Sequence, residues 1–315
     1  MHFEEHIALR AHTWFRTGGA ARFFCEPQCD ADFQAALAFA QQHALDLLVL
    51  GAGANVLISD DGFDGLVIKP AACAMQVVLD KADTAHGLVQ ADAGVSIDTL
   101  IEACLDQQLT GLEDFSGIPG TIGGALFINV HYFERFIGER LVRARVLERA
   151  TGQIQTVDRA WFAFGYDTSA LHSRAHIVLD ATFELDRANA AATAFARGRR
   201  AEIVRHRQRR YPTEGTCGSF FRNFLPEEVA FTVQGRTILS VAYYLDKLGV
   251  KGDLAVGGAV VSHQHANMLV NTGTATSADI VKLARTLQEM VRDRFGITPR
   301  PECQLLGFRA DALLA

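Results

Sequence analysis

Residues 47–68 read LLVLGAGANVLISDDGFDGLVI, and the order of these parts decides the fold. LLVL is a short apolar run of the kind that forms a buried strand. GAGAN, at 51–55, breaks that run with two glycines one residue apart. A second apolar run, VLIS, follows at once, then the turn DDGFDG, then LVIK. A doubly wound dinucleotide fold needs G-x-G-x-x-G and a helix directly after the turn. GAGAN lacks the third glycine and runs into another strand, so its context excludes that fold. The reading is α+β instead, with glycine at 51 and 53 leaving the main chain open to close approach by an anion.

Working outward, residues 21–26 read as a strand closed by Pro27. Asp30 is placed to cap a helix whose apolar face is Phe33, Leu37 and Ala40. Residues 88–94 form a strand, and Ser96 starts a helix with Ile97, Leu100, Ile101 and Cys104 on one face, ended by Gly111. FSGIPGTIGGALFIN, at 115–129, is a second glycine-dense run. Residues 141–157 alternate apolar and polar side chains about Thr151-Gly152, which predicts a hairpin, and 176–185 is another strand. Residues 189–210 form a basic helix carrying Arg197, Arg199, Arg200, Arg205, Arg207, Arg209 and Arg210. Its arginines read as a solvated face, with contact to a phosphorylated ligand as the sharper alternative. Farther on come a helix at 240–249, strands at 257–261 and 268–271, and a long helix begun by a capping box of Thr276 and Asp279. Its face is Ile280, Leu283, Ala284, Leu287, Met290 and Val291, and Gly296 follows it.

The 315 residues are 49% apolar and 21% charged, enough for two or three cored domains and too apolar for large-scale disorder. A net charge of −6 disfavours a nucleic-acid partner, which demands a basic footprint. No apolar run approaches the length of a membrane span, and the acidic start MHFEEHIALRAH has no hydrophobic region of a signal peptide. The expected location is the cytoplasm, and the six scattered cysteines are expected to be free thiols.

The wording of the motifs goes further. HTWFRTGGAARFF at 12–24, GAGANVLISDDGFDGLVI from 51, GLEDFSGIPGTIGGALFIN at 111–129, CGSFFRN at 217–223, LGVKGDLAVGGAVVSHQHANMLVN at 248–271 and FGITPRPECQLLGF at 295–308 resemble, in order, signatures of the UDP-N-acetylenolpyruvoylglucosamine reductases. Six colinear matches across nearly the whole chain are far more specific than one glycine loop. The resemblance implies a two-part FAD-binding region of the vanillyl-alcohol-oxidase type and a C-terminal αβ substrate-binding domain. The expected division is 1–70 and 71–195 for the two flavin subdomains and 196–315 for the substrate domain, with the last strand returning to the first subdomain.

The same resemblance implies FAD and NADPH as cofactors, and a sugar-nucleotide or related enol-ether substrate. Gly51, Gly53, Ala54 and Asn55 would wrap the FAD diphosphate. Ser116, Gly117, Ile118, Gly120, Thr121, Gly123, Gly124 and Asn129 would supply a second wall. Ser219 matches the proton donor and Glu302 the C-terminal glutamate that assists the developing enolate; Tyr166 completes the expected catalytic set. Arg222, Asn223, Lys251 and His265 are the substrate-binding candidates. A hydroxyl is a weak acid in water, so Ser219 needs a dry site, and Glu302 needs burial to hold a proton. His263 and His265 sit two apart with no third ligand in view, so no metal is expected.

Two places depart from the family pattern. The family's Gly-Tyr-Arg-x-Ser reads Gly165-Tyr166-Asp167-Thr168-Ser169 here, an anion in place of a cation. After Asn129 the family's glycine-rich stretch is replaced by VHYFERFIGERL, where His131 is either an acid–base group or filler. Three functions stay open at this point: the peptidoglycan reductase, a flavin enzyme of the same architecture with another substrate, or a binding protein without turnover.

Overall fold

In the computed structural model, which describes residues 1–80, 82–229, 231–308 and 312–313, the chain divides into two contact units. The first comprises Met1–Glu5, Phe23–Ala52 and Gly65–Arg207; the second comprises His6–Arg22, Gly53–Asp64 and Gln208–Ala315. Each has its own apolar core, and the architecture is α+β.

In the first unit, helix α1 spans Asp30–Gln42 and buries Phe33, Ala36, Leu37 and Ala40, the face its periodicity predicts. These pack with Leu47, Leu66 and Ile68, and with Leu147, Ile177 and Leu179. The strands Asp46–Val49 and Phe63–Ile68 pair in parallel, with Leu47 opposite Leu66 and Leu48 opposite Val67. They end the four-stranded sheet Glu4–Ala8, Ala20–Cys25, Phe63–Ile68, Asp46–Val49.

A larger antiparallel sheet is built around the strand His176–Arg187, flanked by Leu141–Glu148 and His86–Asp92, with Ile154–Asp158 and Met75–Val78 at its edges. The hairpin about Gly152 is the predicted one, and Gly152 takes a positive φ of 72°. Helix α2, Ile97–Asp106, starts as expected: the Ser96 hydroxyl accepts from the Thr99 amide at 3.0 Å. Helix α3 spans Ile122–Ile128 and α4 spans Ala190–Arg210.

Two local expectations fail. Asp30 does not cap α1; Cys29 holds the N-cap position without a side-chain bond, and Asp30 pairs with Arg145 instead. Gly111 does not end α2, because the chain turns at left-handed Gln108 and adds the short strand Leu109–Thr110 first. The arginines of α4 are mostly exposed, the solvated face expected, and three of them also meet acids across that surface. Arg197 pairs with Glu102 and Asp106, Arg199 with Asp114, and Arg200 with Asp98 and Glu102. The helix lacks an apolar face, burying only Thr193 and Ala196, and is held largely by charge against α2 and the turn at Glu113–Phe115.

In the second unit, α5 spans Val241–Lys247 and α6 spans Ser277–Phe295. Thr276 and Asp279 form the predicted capping box, and Gly296 closes the helix at φ 73°. Ile280, Leu283, Ala284, Leu287 and Val291 are wholly buried. At about 1.5–3 kcal/mol for each large aliphatic side chain, this face anchors the unit. A three-stranded sheet of Ala255–Val256, Ala259–Val261 and Leu269–Asn271 lies in the same core. The last strand, Gln304–Leu306, pairs in parallel with Val56–Ile58. Asp60 ties that neighbourhood to α6 by accepting from the amides of Ser277 and Ala278, both at 2.9 Å.

One charge network built on a buried carboxylate is easily missed from sequence. Arg145 lies between Asp30, at 2.6 Å, and Asp180, at 2.5 Å, and the Asp180 side chain is 3% exposed. Removing the arginine strands a buried carboxylate, which costs about 3–5 kcal/mol. An Arg145→Met variant is therefore expected to lose that much unfolding free energy in urea titrations. Asp30→Asn, at the half-exposed end of the pair, should lose less than about 1 kcal/mol. Equal losses in the two variants would contradict the assignment of Asp180 as the buried partner.

Candidate active site

The two glycine segments differ in how their main chains are used. Among the described residues, no amide from Gly51 to Asn55 appears as a hydrogen-bond donor within the protein. Buried amides in native proteins are almost always paired, so five successive uncommitted donors mark a loop that meets solvent or a ligand. Glycine is required on both sides of this loop. A Cβ on Gly51 would lie 2.6 Å from the Thr121 hydroxyl, and one on Gly53 would lie 2.1 Å from the His12 carbonyl. Gly53 also has a φ of 68°.

The second segment has largely committed its amides. Ser116 donates to Glu113, Gly117 to the Asp98 carboxylate at 3.1 Å, and Ile118 to Phe115. Ile122 donates to Val95, Gly123 to Ala93, and Gly124 to the Thr121 hydroxyl. Ser116 is fully buried, with its hydroxyl on the Glu113 carbonyl at 2.6 Å. The amides of Gly120 and Thr121 are not among these donors. This run thus forms a tight wall more than a row of donors. Arg207, one of the α4 arginines, fastens it by donating to the Gly117 carbonyl at 3.0 Å.

Asn129 is likewise committed. It caps α3 in the left-handed conformation at φ 51°. Its side-chain amide donates to the Gly165 carbonyl at 3.0 Å and accepts from the Gly138 amide at 3.2 Å. It therefore hangs the Gly165–Thr168 turn, which carries Tyr166 and Asp167, from the end of the second glycine run. Tyr166 is 37% exposed.

The second unit brings the segments carrying Ser219 and Glu302 side by side. The Phe220 carbonyl accepts from the amides of Glu302 at 2.9 Å and Cys303 at 3.3 Å. Phe221 bridges antiparallel to Pro301, and Arg222 donates from its amide to the Arg300 carbonyl at 3.0 Å. Asn267, buried, clamps the other side: its side chain donates to the Phe221 carbonyl at 2.7 Å and accepts from the Phe221 amide at 3.1 Å. The sequence reading missed Asn267, although an amide inside the apolar stretch ANMLV is the kind of buried polar residue that must be paired.

Asn55 joins the same assembly. Its side-chain nitrogen donates to the Glu302 carbonyl at 3.4 Å, and its own carbonyl accepts from Gln304 at 3.0 Å. The Asn55 side-chain oxygen is buried with no partner from the protein among the described residues. A buried acceptor left unsatisfied is costly, and a ligand hydroxyl or amide would relieve it.

The candidate substrate cations are partly matched already. Arg222 makes a two-pronged ion pair with Glu228, at 2.8 and 2.6 Å, and Arg300 lies 3.6 Å from the same carboxylate. Asn223 is exposed and accepts from the Val241 amide at 3.4 Å. Lys251 is exposed and pairs with Asp246 at 2.8 Å. His265 stacks edge-on with Tyr211, and burial with nearby Arg210 and Lys251 pushes its imidazole down to about 4, so it is neutral at physiological pH. Its Nδ1 is buried without a partner among the described residues. No group of acidic, histidine or cysteine side chains that could hold a metal occurs among the described residues, and all six cysteines are free.

Comparison with known proteins agrees with this geometry. Residues 21–158 match the FAD binding domain family, and residues 210–306 match the C-terminal domain of UDP-N-acetylenolpyruvoylglucosamine reductase. A UDP-N-acetylenolpyruvoylglucosamine reductase from Synechococcus sp. (strain RCC307) is 34% identical over 100% of this chain and 97% of its own. One from Trichormus variabilis is 36% identical over 95% of this chain and 85% of its own. The crystal structure of the Thermus caldophilus reductase superposes with a TM-score of 0.77 at 24% identity, covering 97% of this chain and 99% of that one, which establishes the shared fold. The fold is thus a two-part FAD-binding region with a C-terminal αβ domain.

The Arg222–Glu228 pair gives a test by pH. Hydrogen bonds from Arg222 lower the Glu228 carboxyl from its usual 4.5 to about 2. A depressed folded value contributes stability above the unfolded value and loses it as pH falls toward the folded one. Between pH 4.5 and about 2, wild-type protein should lose more unfolding free energy than a Glu228→Gln variant. Parallel urea-derived curves for the two proteins would show that the pair is not formed in solution.

Proposed function

The chain belongs to the UDP-N-acetylenolpyruvoylglucosamine reductases, and from that membership we propose how its residues divide the work. It is an FAD-dependent oxidoreductase that uses NADPH to convert UDP-N-acetylglucosamine enolpyruvate to UDP-N-acetylmuramate in peptidoglycan synthesis. We place it in the cytoplasm; no helix among the described residues is long and apolar enough to cross a membrane.

FAD, when bound, supplies the ring that takes hydride from NADPH and passes it on. The protein fits that cofactor at two points: the uncommitted amides of Gly51–Asn55 and the unsatisfied Asn55 oxygen. We assign Gly51, Gly53, Ala54 and Asn55 to the diphosphate and ribityl side of FAD, with Gly120 and Thr121 as the available amides of the second run. Ser116, Gly117, Ile118, Gly123, Gly124 and Asn129 shape that run; the hydroxyl of Ser116, the side chain of Asn129 and the amides of Gly117, Ile118, Gly123 and Gly124 are spent on holding it.

Ser219 carries the proton for the internal carbon of the enol ether, and Glu302 on the adjoining segment stabilises the charge that builds before that proton moves. Tyr166 contributes from the turn suspended by Asn129. Arg222, Asn223, Lys251 and His265 bind the sugar nucleotide. The observation that carries this reading is the stitching of Asn55, Glu302 and the Ser219 segment by main-chain bonds in one unit. A cofactor residue and both acid candidates are thereby fixed to one another. A serine can act as an acid only where water is excluded.

Stopped-flow absorbance tests the assignment. NADPH should bleach the flavin of wild type and of Ser219→Ala alike. Reoxidation by UDP-N-acetylglucosamine enolpyruvate should then be slowed by about 10²–10⁴-fold in the variant, the span of general acid catalysis. Unchanged reoxidation would remove Ser219 from the mechanism, and wild-type reduced flavin that ignores this compound would remove the substrate.

A further inference from the structure

The two places where the sequence leaves the family pattern meet in space. His131 Nδ1 lies 3.4 Å from the Asp167 carboxylate, and their side chains are 22% and 11% exposed. The His131 ring also packs against Tyr166, with centroids 4.8 Å apart at 46°, and against Phe136 at 5.3 Å. These contacts follow from the backbone. His131 opens the small hairpin His131–Tyr132/Arg135–Phe136, pairing with Phe136, directly after the α3 cap. Asp167 sits at φ 53° in the tight turn closed by the Gly165 amide and Thr168 carbonyl at 3.0 Å. Aspartate tolerates that left-handed geometry far better than a β-branched residue does. Asn129 bonds the Gly165 carbonyl, so both partners hang from one residue at the end of the second glycine run.

We propose that His131 is a positioning residue for Tyr166: paired with Asp167, its ring holds the phenol of Tyr166 in place for the reduction of substrate. This rests on the assignment of Tyr166 to the reductase site made above. The protonated ring is the state that does the holding. It is attracted to the Asp167 carboxylate as an ion pair and to the face of Tyr166 as a cation near an aromatic ring. Burial acts in the opposite sense and pushes the His131 imidazole below its usual value. The Asp167 carboxylate at 3.4 Å opposes that shift in direction, because an opposite charge favours the protonated imidazole.

The other charged groups near His131 are few. Glu134 and Arg135 lie on its own hairpin. Glu113 and Asp114 lie on the turn packed against it, where Asp114 is matched by Arg199 and Glu113 accepts from the Gly111 amide. Arg207 of α4 stands over the neighbouring Tyr132 ring at 5.9 Å. Among the described residues, Asp167 is the one whose carboxylate reaches ion-pair distance of the His131 ring.

The test uses FAD-loaded protein as wild type, His131→Gln, Asp167→Asn and Tyr166→Phe. The His131 titration is read from its imidazole carbon-bound proton by NMR, assigned by its loss in His131→Gln. Asp167→Asn should lower that titration midpoint by about 1 unit or more, since the counter-charge is gone. In wild type, the rate of flavin reoxidation by substrate should fall as pH rises through the same midpoint. That fall should move to lower pH in Asp167→Asn and be absent in His131→Gln, while reduction by NADPH keeps its wild-type pH profile in these two variants.

A His131→Gln reoxidation profile that superimposes on wild type would overturn the proposal, as would an unshifted His131 titration in Asp167→Asn. If Tyr166→Phe is slow while His131→Gln is normal, this inference fails and the assignment of Tyr166 stands. If Tyr166→Phe reoxidises at the wild-type rate and pH profile, the assignment of Tyr166 fails and takes this inference with it. Thermal unfolding and bound-flavin absorbance of each variant separate these outcomes from loss of fold.

Discussion

The structure depends on where main-chain hydrogen bonds are spent and where they are withheld. A folded chain pairs nearly every buried amide and carbonyl, so an unpaired stretch has to be built on purpose. Here the strands on either side of residues 51–55 each pair with a neighbour, and among the described residues the loop between them donates nothing within the protein. Glycine at 51 and 53 is what permits this, because a side chain at either place would collide with Thr121 or with the His12 carbonyl. The second glycine run does the reverse. It spends most of its amides on the residues behind it and becomes a rigid surface. One segment offers donors and the other offers shape.

Rigidity elsewhere comes from polar groups that are buried and satisfied. Asn267 fixes the Ser219 strand, Asn129 fixes the Tyr166 turn, and Arg145 neutralises Asp180 beneath α1. Each of these would be expensive if one partner were missing, and each is complete. Catalytic side chains that must hold a proton or meet a developing charge gain from such supports, since a displacement of an ångström is costly to rate. The basic helix α4 serves the same end: its charges pair with acids on α2, and Arg207 secures Gly117.

What could be read from sequence was mostly local. The Ser96 cap, the Thr276–Asp279 box, the α1 and α6 faces and the Gly152 hairpin all depend on residues within a few positions of one another. The failures share a cause. Asp30 was read as a cap because nothing nearby in sequence revealed Arg145, 115 residues away. The solvated face of α4 is legible in its sequence, but the acids it meets, on α2 and at Asp114, are not. The glycine motifs located the candidate site, but not which of their amides were already taken; that depends on Ala93, Val95 and Asp98, in the turn after the His86–Asp92 strand and the start of α2. His131 stood equally as an acid–base group or as filler until Asp167 was found beside it.

The central claim is that the withheld amides of residues 51–55 bind the diphosphate of FAD. The most direct measurement is the affinity of flavin-stripped protein for FAD and for riboflavin, followed by quenching of flavin fluorescence. Riboflavin carries the same ring and ribityl chain and no phosphate. The account predicts that FAD binds at least about 100-fold more tightly, a difference of about 2.8 kcal/mol. Equal affinity for the two flavins would contradict it.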